Sequence, residues 1–286
     1  MGARRGAGVQ AARRRRDRLT TVATIVSFHA HPDDESIQTG GALAKAASEG
    51  HRVVLVLATR GEHGEVDDGF LAPGETLAQR REAETHRSAE VLGAQRVAFL
   101  GYTDSGMIGT PENELPGSFW QADLDEAAGR LAEILREEAA DVLTVYDSDG
   151  AYGHPDHIQV HRVGVRAAEL AGTPRVFEAT MNRDHLRQVI QAAIDAGHIP
   201  LEDVPDVSET STFGRPADVI TTAVDVRAHL AAKRASMAAH ASQIGDSHFF
   251  LTLPDDAFVR SFGTEWFIRH DVPDGHHDDD LLADLT

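Results

Sequence analysis

The chain of 286 residues contains no cysteine. That absence excludes disulfide bonds, thiolate nucleophiles and zinc sites built from cysteine. Any bound metal must therefore be held by histidine, aspartate and glutamate side chains. No run of apolar residues approaches the roughly 18 that a transmembrane helix needs. The chain also lacks the Gly-x-Ser-x-Gly motif that marks the nucleophile of many serine hydrolases.

Positive charge is scarce, since 27 basic residues face 46 acidic ones and the formal net charge is -19. This balance argues against a nucleic-acid backbone as the main partner. We expect the basic segment 1–20 and the acidic tail 271–286 to be disordered, with a single domain at 21–270 between them. The apolar stretch at 22–28 is too short for a secretory signal. We therefore predict a cytoplasmic protein that contacts no membrane.

Short apolar runs alternate with helical patterns through the first two thirds of the chain. This alternation predicts an α/β fold, with a Rossmann-like, mostly parallel sheet that carries helices on both faces. The weaker pattern after residue 181 predicts a smaller mixed C-terminal part. The predicted strands are 22–28, 53–58, 97–100, 142–146 and 175–180. The predicted helices are 36–49, 75–92, 121–140, 158–170, 187–197 and 226–242.

Two clusters of histidine and aspartate each follow a predicted buried strand. The first is HAHPDDE at 29–35 and the second is YGHPDH at 152–157. Ligands of such sheets bind beyond the carboxyl ends of the strands, where both clusters would lie. A single His-Pro-Asp sequence also suits an ordinary hydrogen-bonded turn. The two clusters together favour one shared site, while each alone leaves the simple turn open.

The spacing within the clusters suits a metal ion. His31 and Asp34, three residues apart, can hold one ion from a single turn, and His157 can complete the set from the second cluster. Three protein ligands are typical of catalytic zinc, which keeps its fourth position open. Ferrous iron can occupy the same kind of site.

Further residues of the two clusters remain free for proton transfer. Asp33 lies beside the predicted ligands and can serve as general base. His154 can serve as general acid, and Asp156 is placed to orient it.

The two motifs resemble those of the LmbE/PIG-L-like family of zinc-dependent de-N-acetylases. Four further segments support the resemblance: RGEHGEV at 60–66, TDSGM at 103–107, YDSDGAYGHPDH at 146–157 and AAKRASMAAHASQI at 231–244. The likeness spans residues 22 to 245. TDSGM and the late helix are similar to the mycothiol branch, which includes the N-acetylglucosaminyl-inositol deacetylase and the mycothiol-conjugate amidase.

The resemblance implies the same three zinc ligands and the same base, and it adds further roles. It implies that His154 is protonated, stabilises the tetrahedral oxyanion and then protonates the leaving amine, with Asp156 orienting it. It implies that Tyr152 polarises the acetyl carbonyl. Arg81 and Asp104 correspond to positions that bind the sugar and its aglycone, although an exposed ion pair is an equally open explanation for Arg81.

We therefore predict a zinc-dependent hydrolase that removes acetyl from an N-acetylglucosamine-containing small molecule, foremost N-acetylglucosaminyl-inositol. Two alternatives use the same chemistry: an amidase of mycothiol S-conjugates and a tailoring deacetylase of a glycosylated natural product. A third alternative, from another class, is a Rossmann-like module that binds a sugar or a nucleotide without catalysis. The loop at 108–119 and the region after 245 do not follow the family pattern, which leaves the aglycone open.

Overall fold

Seven strands in the described part of the chain form one sheet. The computed structural model describes residues 22–195, 206–208, 211, 213–273, 275–283 and 285, so the predicted basic segment lies outside it. The strand order is β3-β2-β1-β4-β5-β7-β6, with β1 to β5 parallel and β7 antiparallel to both of its neighbours. The strands are β1 (Thr24–His29), β2 (Arg52–Leu57), β3 (Arg96–Phe99), β4 (Val142–Tyr146), β5 (Arg175–Thr180), β6 (Thr222–Asp225) and β7 (Thr264–Arg269).

Seven helices of eight residues or more accompany the sheet in the same described ranges. They are α1 (Gly40–Ser48), α2 (Leu77–Leu92), α3 (Leu124–Glu137), α4 (Pro155–Ala171), α5 (Arg183–Asp195), α6 (Leu230–Ala239) and α7 (Asp255–Phe262). Short helical turns lie at Glu35–Thr39, Pro111–Glu114, Phe119–Gln121, Gly150–Gly153, Ala217–Val219, Arg227–His229 and Phe249–Thr252. Within the described segments, no helix combines the length and the apolar character needed to cross a bilayer.

The sheet separates two apolar cores. Val26 and Phe28 of β1 face the core beneath α3 and α4. Ile25, on the opposite face of the same strand, packs in the core that includes residues of α1, α2 and α6. Alternate side chains of a strand point to opposite faces, so a strand covered on both faces is apolar throughout. The predicted α/β sheet with helices on both faces is therefore confirmed.

The strand order reverses between β1 and β4, which pair in parallel. Chains leaving these two strands turn to opposite sides and open a crevice at the carboxyl edge of the sheet. HAHPDDE at 29–35 leaves β1 and YGHPDH at 152–157 follows β4. The topology therefore brings the two predicted clusters to one crevice.

Local capping determines where two of the helices near this crevice begin and end. Thr76 and Gln79 form a capping box at the start of α2, and Gly93 ends it in the left-handed conformation with φ 77°. Helix α4 begins at Pro155, three residues before the predicted start, because His154 caps its amino end. Proline suits the first helical turn, where its missing N–H leaves no bond unmade.

Three predictions of secondary structure were incomplete. The predicted helix 36–49 is instead a π-helical turn at Glu35–Thr39 followed by α1. Strand β6 was not predicted, because it has only four residues and depends on pairing with β7. The C-terminal part, predicted only as mixed, contains α7 as well as strands, and α7 has too few residues for its periodicity to stand out.

The acidic tail 271–286, predicted to be disordered, contacts the rest of the fold through its described residues. Asp278 bridges to Thr222 at the edge of the sheet, and Leu281 is buried in the core beside α1. Asp280 pairs with Lys45 and Asp278 with Arg269. Apolar side chains and basic partners elsewhere in the fold outweigh the local preference of an acidic run for solvent.

A buried carboxylate binds the amino end of α1. Glu265 of β7 accepts hydrogen bonds from the N–H groups of Gly41 and Ala42, both at 2.8 Å. Lys233 of α6 lies 2.5 Å from the same carboxylate and also donates to the carbonyl of Ile37 at 2.7 Å. Glu265 thus occupies the place where a phosphate binds in many nucleotide-binding folds. Gly40 and Gly41 therefore allow close packing at the amino end of α1.

Glu265→Ala should lower the free energy of unfolding by about 3–5 kcal/mol, because it leaves the buried Lys233 ammonium without its counter-charge. Urea unfolding followed by circular dichroism measures this loss. Arg260→Ala is the matched control, since it removes only the exposed pair with Asp256 and should change stability by about 0.5 kcal/mol or less. Equal losses in the two variants would contradict the importance of the buried pair.

Candidate active site

The three predicted metal ligands meet at the crevice. The Asp34 carboxylate lies between two rings, with Oδ2 3.4 Å from His31 Nδ1 and 3.3 Å from His157 Nε2. Zinc bonds of about 2.0–2.1 Å at tetrahedral angles place neighbouring ligand atoms about 3.4 Å apart. Both measured separations match that edge. The two contacts of Asp34 are therefore compatible with ligands of one tetrahedral ion.

Burial and charge support the same site. His31 and Asp34 are each 8 % exposed and His157 is fully buried. Burial acts to raise the pKa of Asp34, but His157 and His31 hold that pKa well below its usual range. His154 joins the cluster, since it, His31 and His157 offer ring nitrogens within 4.8 Å of one another. The cluster is a buried group of metal-binding type.

Asp33 has a backbone conformation that is unusual for its residue type. Its φ is 103°, in the region that favours glycine. Burial raises the pKa of the Asp33 carboxyl to about 6, the Arg81 guanidinium opposes that rise and Asp34 adds to it. A carboxylate with this pKa is a better proton acceptor near neutral pH than an ordinary aspartate. Its predicted role as base is chemically suitable.

Arg81 of α2 is buried at 4 % exposure, so the alternative of an exposed ion pair is wrong. Its guanidinium donates to the carbonyl oxygens of Pro32 at 2.5 Å and Gly61 at 2.9 Å. It also lies 3.6 Å from Asp33 Oδ2. These contacts join α2 to the turn that carries Asp33. Binding of substrate by Arg81 stays a prediction.

His154 and Asp156 are close together, but not as predicted. His154 Nδ1 accepts a hydrogen bond from the backbone N–H of Asp156 at 3.1 Å. The Asp156 carboxylate instead contacts His31 Nε2 at 3.1 Å and the N–H of Ser105 at 2.9 Å. Thus the carboxylate orients His31, as carboxylates beside metal-binding histidines commonly do. Only the backbone of Asp156 orients His154, because that N–H lies at the first turn of α4.

His154 is predicted to act as a cation. Burial lowers its pKa to about 4, the neighbouring His31 and His157 act in the same direction, and Asp156 and Asp104 oppose them. The surroundings thus favour a neutral ring. A negative charge that develops beside the ring favours its protonation. The predicted cationic state therefore depends on such a charge.

Tyr152 and Asp104 flank the cluster. The Tyr152 hydroxyl lies 3.5 Å from His157 Nε2, and burial raises the pKa of this phenol well above its usual range. Tyr152 is therefore a neutral hydrogen-bond donor at any working pH. Asp104 Oδ1 lies 3.5 Å from His31 Nε2 and accepts from the N–H of Gly106 at 2.8 Å. Tyr152 and Asp104 thus both lie beside the cluster. Their roles, in polarising the carbonyl and in binding substrate, stay predictions.

Several supporting residues were missed in the sequence. The Tyr146 ring stacks on that of His157, with centroids 4.4 Å apart, and its hydroxyl lies 2.9 Å from His29 Nδ1. Burial lowers the pKa of His29 to about 4, so this first histidine of the motif is a neutral, structural residue. Glu35 accepts a hydrogen bond from the backbone N–H of Asp33 and contacts His240. In the sequence, His29 and Tyr146 could have been noted because each lies at the end of a strand. Glu35 and His240 had no comparable signal.

Comparisons with known proteins assign the family. Residues 26–168 match the family model described as PIG-L: GlcNAc-PI de-N-acetylase. The chain is 43 % identical over 262 residues to a 1D-myo-inositol 2-acetamido-2-deoxy-alpha-D-glucopyranoside deacetylase of Acidothermus cellulolyticus, with 86 % of this chain and 88 % of that protein covered. A relative of the same name from Thermomonospora curvata is 40 % identical, with 88 % of this chain and 91 % of that protein covered.

Solved structures share the fold at lower identity. The N,N'-diacetylchitobiose deacetylase of Pyrococcus horikoshii superposes with a TM-score of 0.52 at 21 % identity, covering 90 % of this chain and 84 % of that one. At this identity the similarity shows the fold alone. The family model and the two relatives carry the assignment: the chain belongs to the PIG-L family of de-N-acetylases.

Proposed function

We propose that the protein hydrolyses the acetamide of N-acetylglucosaminyl-inositol with the help of Zn²⁺ held by His31, Asp34 and His157. The observation that carries this proposal is the geometry of Asp34, whose carboxylate oxygen lies at tetrahedral-edge distances from both histidines. The names of the 40–43 % identical relatives support the substrate. Residues 21 to 270 would form the catalytic domain. The protein would act in the cytoplasm.

Asp33 would take the proton of the attacking water. When bound, the ion supplies Lewis acidity toward the carbonyl and makes water a stronger acid at neutral pH. The Asp33 carboxylate lies beside the ligand cluster and is partly exposed, at 18 % of its side chain. Its raised pKa strengthens it as a base. Water oxygen then bonds to the acetyl carbon, and the carbonyl oxygen gains a negative charge.

The opposite side of the cluster would receive that charge. The Tyr152 hydroxyl, a neutral donor, can hydrogen-bond the carbonyl oxygen, and His154 takes up a proton from solvent as the negative charge forms. His154 then transfers this proton to the sugar nitrogen while the carbon–nitrogen bond breaks. The products are acetate and the free amine of the glucosaminyl conjugate.

The sugar and its aglycone would lie against Arg81 and Asp104. Both residues are buried beside the cluster, at 4 % and 5 % exposure. Asp104 is held by the N–H groups of His63 and Gly106, at 3.2 and 2.8 Å. These bonds fix its carboxylate before substrate arrives, which reduces the entropic cost of binding.

Release of free amine from N-acetylglucosaminyl-inositol tests the proposal directly. We expect release to stop with a chelator and to return with added Zn²⁺, while plain N-acetylglucosamine reacts much more slowly because it lacks the inositol contacts. The S-conjugates of mycothiol form a third substrate arm. Preference for these conjugates would move the function to amide cleavage of larger acyl groups. Unaltered turnover after complete removal of metal would contradict the zinc proposal.

A further inference from the structure

Asp33 is held in a conformation that an aspartate rarely adopts unaided. At a φ of 103° its backbone lies in the region that favours glycine. Such conformations cost about 1–3 kcal/mol and persist only where the surroundings enforce them. The direction of the Asp33 carboxylate depends on this backbone. The contacts that enforce it therefore influence catalysis without touching substrate.

The backbone N–H of Asp33 is fixed by Glu35. Glu35 Oε2 accepts from this N–H at 3.0 Å, although the two residues are only two positions apart. The carbonyl oxygen of Asp33 accepts from the N–H groups of Ser36 and Ile37 at 3.0 and 3.1 Å. Both polar groups of the peptide are thus engaged in the same tight turn. Glu35 is the side-chain component of that restraint.

Glu35 is in turn fixed by residues from distant elements. Its Oε1 accepts from the hydroxyls of Ser36 at 3.0 Å and Ser88 at 2.6 Å, and lies 2.5 Å from His240 Nε2. Glu35 and His240 are both fully buried, at 0 % exposure. His240 follows α6 and is 205 positions from Glu35 in the chain. It is the one group among these three donors that can carry positive charge.

The loss of His240 would remove the contact of 2.5 Å between its Nε2 and Glu35 Oε1. A buried carboxylate that loses a hydrogen-bond donor is destabilised and turns toward other donors. That movement weakens the hydrogen bond with the Asp33 N–H. The Asp33 backbone would then relax from its strained conformation, and its carboxylate would move relative to the ligand cluster.

We propose that Glu35 and His240 are positioning residues that hold the Asp33 carboxylate in its productive direction. This inference rests on the proposed role of Asp33 as general base. It extends the functional site to the segment after α6 and assigns a purpose to a buried ion pair outside the ligand set. A misplacement of about 1 Å in a reacting group can lower the rate about 100-fold.

A second buried contact in the same region provides a matched control. Ser242 donates from its N–H and its hydroxyl to the Glu84 carboxylate, at 3.0 and 2.6 Å. This pair links α2 to the segment after α6 and is likewise buried. It does not contact Asp33. Ser242→Ala therefore removes the buried hydroxyl bond to Glu84 without disturbing the proposed restraint.

The first experiment compares His240→Ala, His240→Gln and Ser242→Ala for kcat, KM, bound zinc and Tm. We expect His240→Ala to lower kcat about 10- to 100-fold, with zinc content unchanged and KM within about threefold of the parent. His240→Gln should recover most of the rate, because its Nε2 can still donate to Glu35. Ser242→Ala should keep kcat within about twofold despite a lower Tm. Equal kcat losses in His240→Ala and Ser242→Ala, or no recovery in His240→Gln, would overturn the inference.

A double-mutant cycle with Asp33→Asn separates the inference from its premise. If His240 acts through Asp33, His240→Ala should cost nothing further once Asp33 is replaced. An inactive Asp33→Asn beside a fully active His240→Ala would overturn the positioning role alone. Near-normal turnover of Asp33→Asn would overturn the base role and the inference with it. If His240→Ala does not fold, Glu35→Gln takes its place in the cycle, because it removes the carboxylate that joins His240 to the Asp33 N–H and keeps the side-chain shape.

Discussion

Asp33→Asn should lower kcat about 100- to 10,000-fold, the usual contribution of general base catalysis. Asparagine has nearly the same shape and is among the residues that tolerate positive φ, so the turn should keep its conformation. The three ligand side chains are untouched, and zinc content should equal that of the parent protein. Steady-state kinetics with metal analysis of the same samples measures both quantities.

Asp149→Asn is the matched control for this substitution. Asp149 is a half-buried carboxylate that pairs with Arg215 at 3.0 Å on the loop between β4 and α4. Its replacement removes one negative charge from the same crevice region and should leave kcat within about twofold. A kcat loss of similar size in both variants would show that net charge, rather than a base, governs the rate.

His157→Ala should abolish stoichiometric metal binding and with it all metal-dependent turnover. His157 is one of three proposed protein ligands, so its loss should exceed the roughly 10- to 100-fold drop in metal affinity that follows removal of a supporting partner. Competition with a fluorescent zinc chelator measures the affinity. Retention of full zinc occupancy at parent affinity would remove His157 from the ligand set.

His161→Ala is the corresponding control, since His161 lies one turn later on α4. Its Nδ1 lies 3.1 Å from the carbonyl oxygen of Tyr146 and 3.5 Å from Glu178. Its substitution removes a histidine from the same helix without removing a proposed ligand. Zinc affinity should stay within about threefold of the parent, because metal affinity follows the ligands and their direct supports.

The sequence was sufficient to place the two clusters but not to describe how their members contact one another. Strand periodicity located the ends of β1 and β4, and the rule for parallel sheets brought HAHPDDE and YGHPDH together. The predicted ligand triplet came from residue type and spacing, and it stays a prediction. The contact of the Asp156 carboxylate with His31 could not be predicted, because it depends on which histidine ring faces the first turn of α4 in the folded crevice.

Long-range contacts were beyond the reach of local pattern. Glu35 and His240 meet across 205 positions, and Gly41 meets Glu265 across 224. No periodicity or turn rule relates residues at such separations. The positive φ of Asp33 could not be predicted either. The His-Pro-Asp sequence indicated a turn, but it did not indicate which residue of the turn would be strained. Packing of complete elements decides these features.

The contacts of β7 and α6 with the turn after β1 have a consequence for recombination between relatives. The family match ends at residue 168, yet Lys233, His240 and Glu265 all lie beyond it and bind the segment between Glu35 and Ala42. A chimaera joined near residue 168 would therefore combine a catalytic turn from one parent with its supports from another. Exchanges that transfer both segments together should yield folded, active hybrids more often than exchanges that split them.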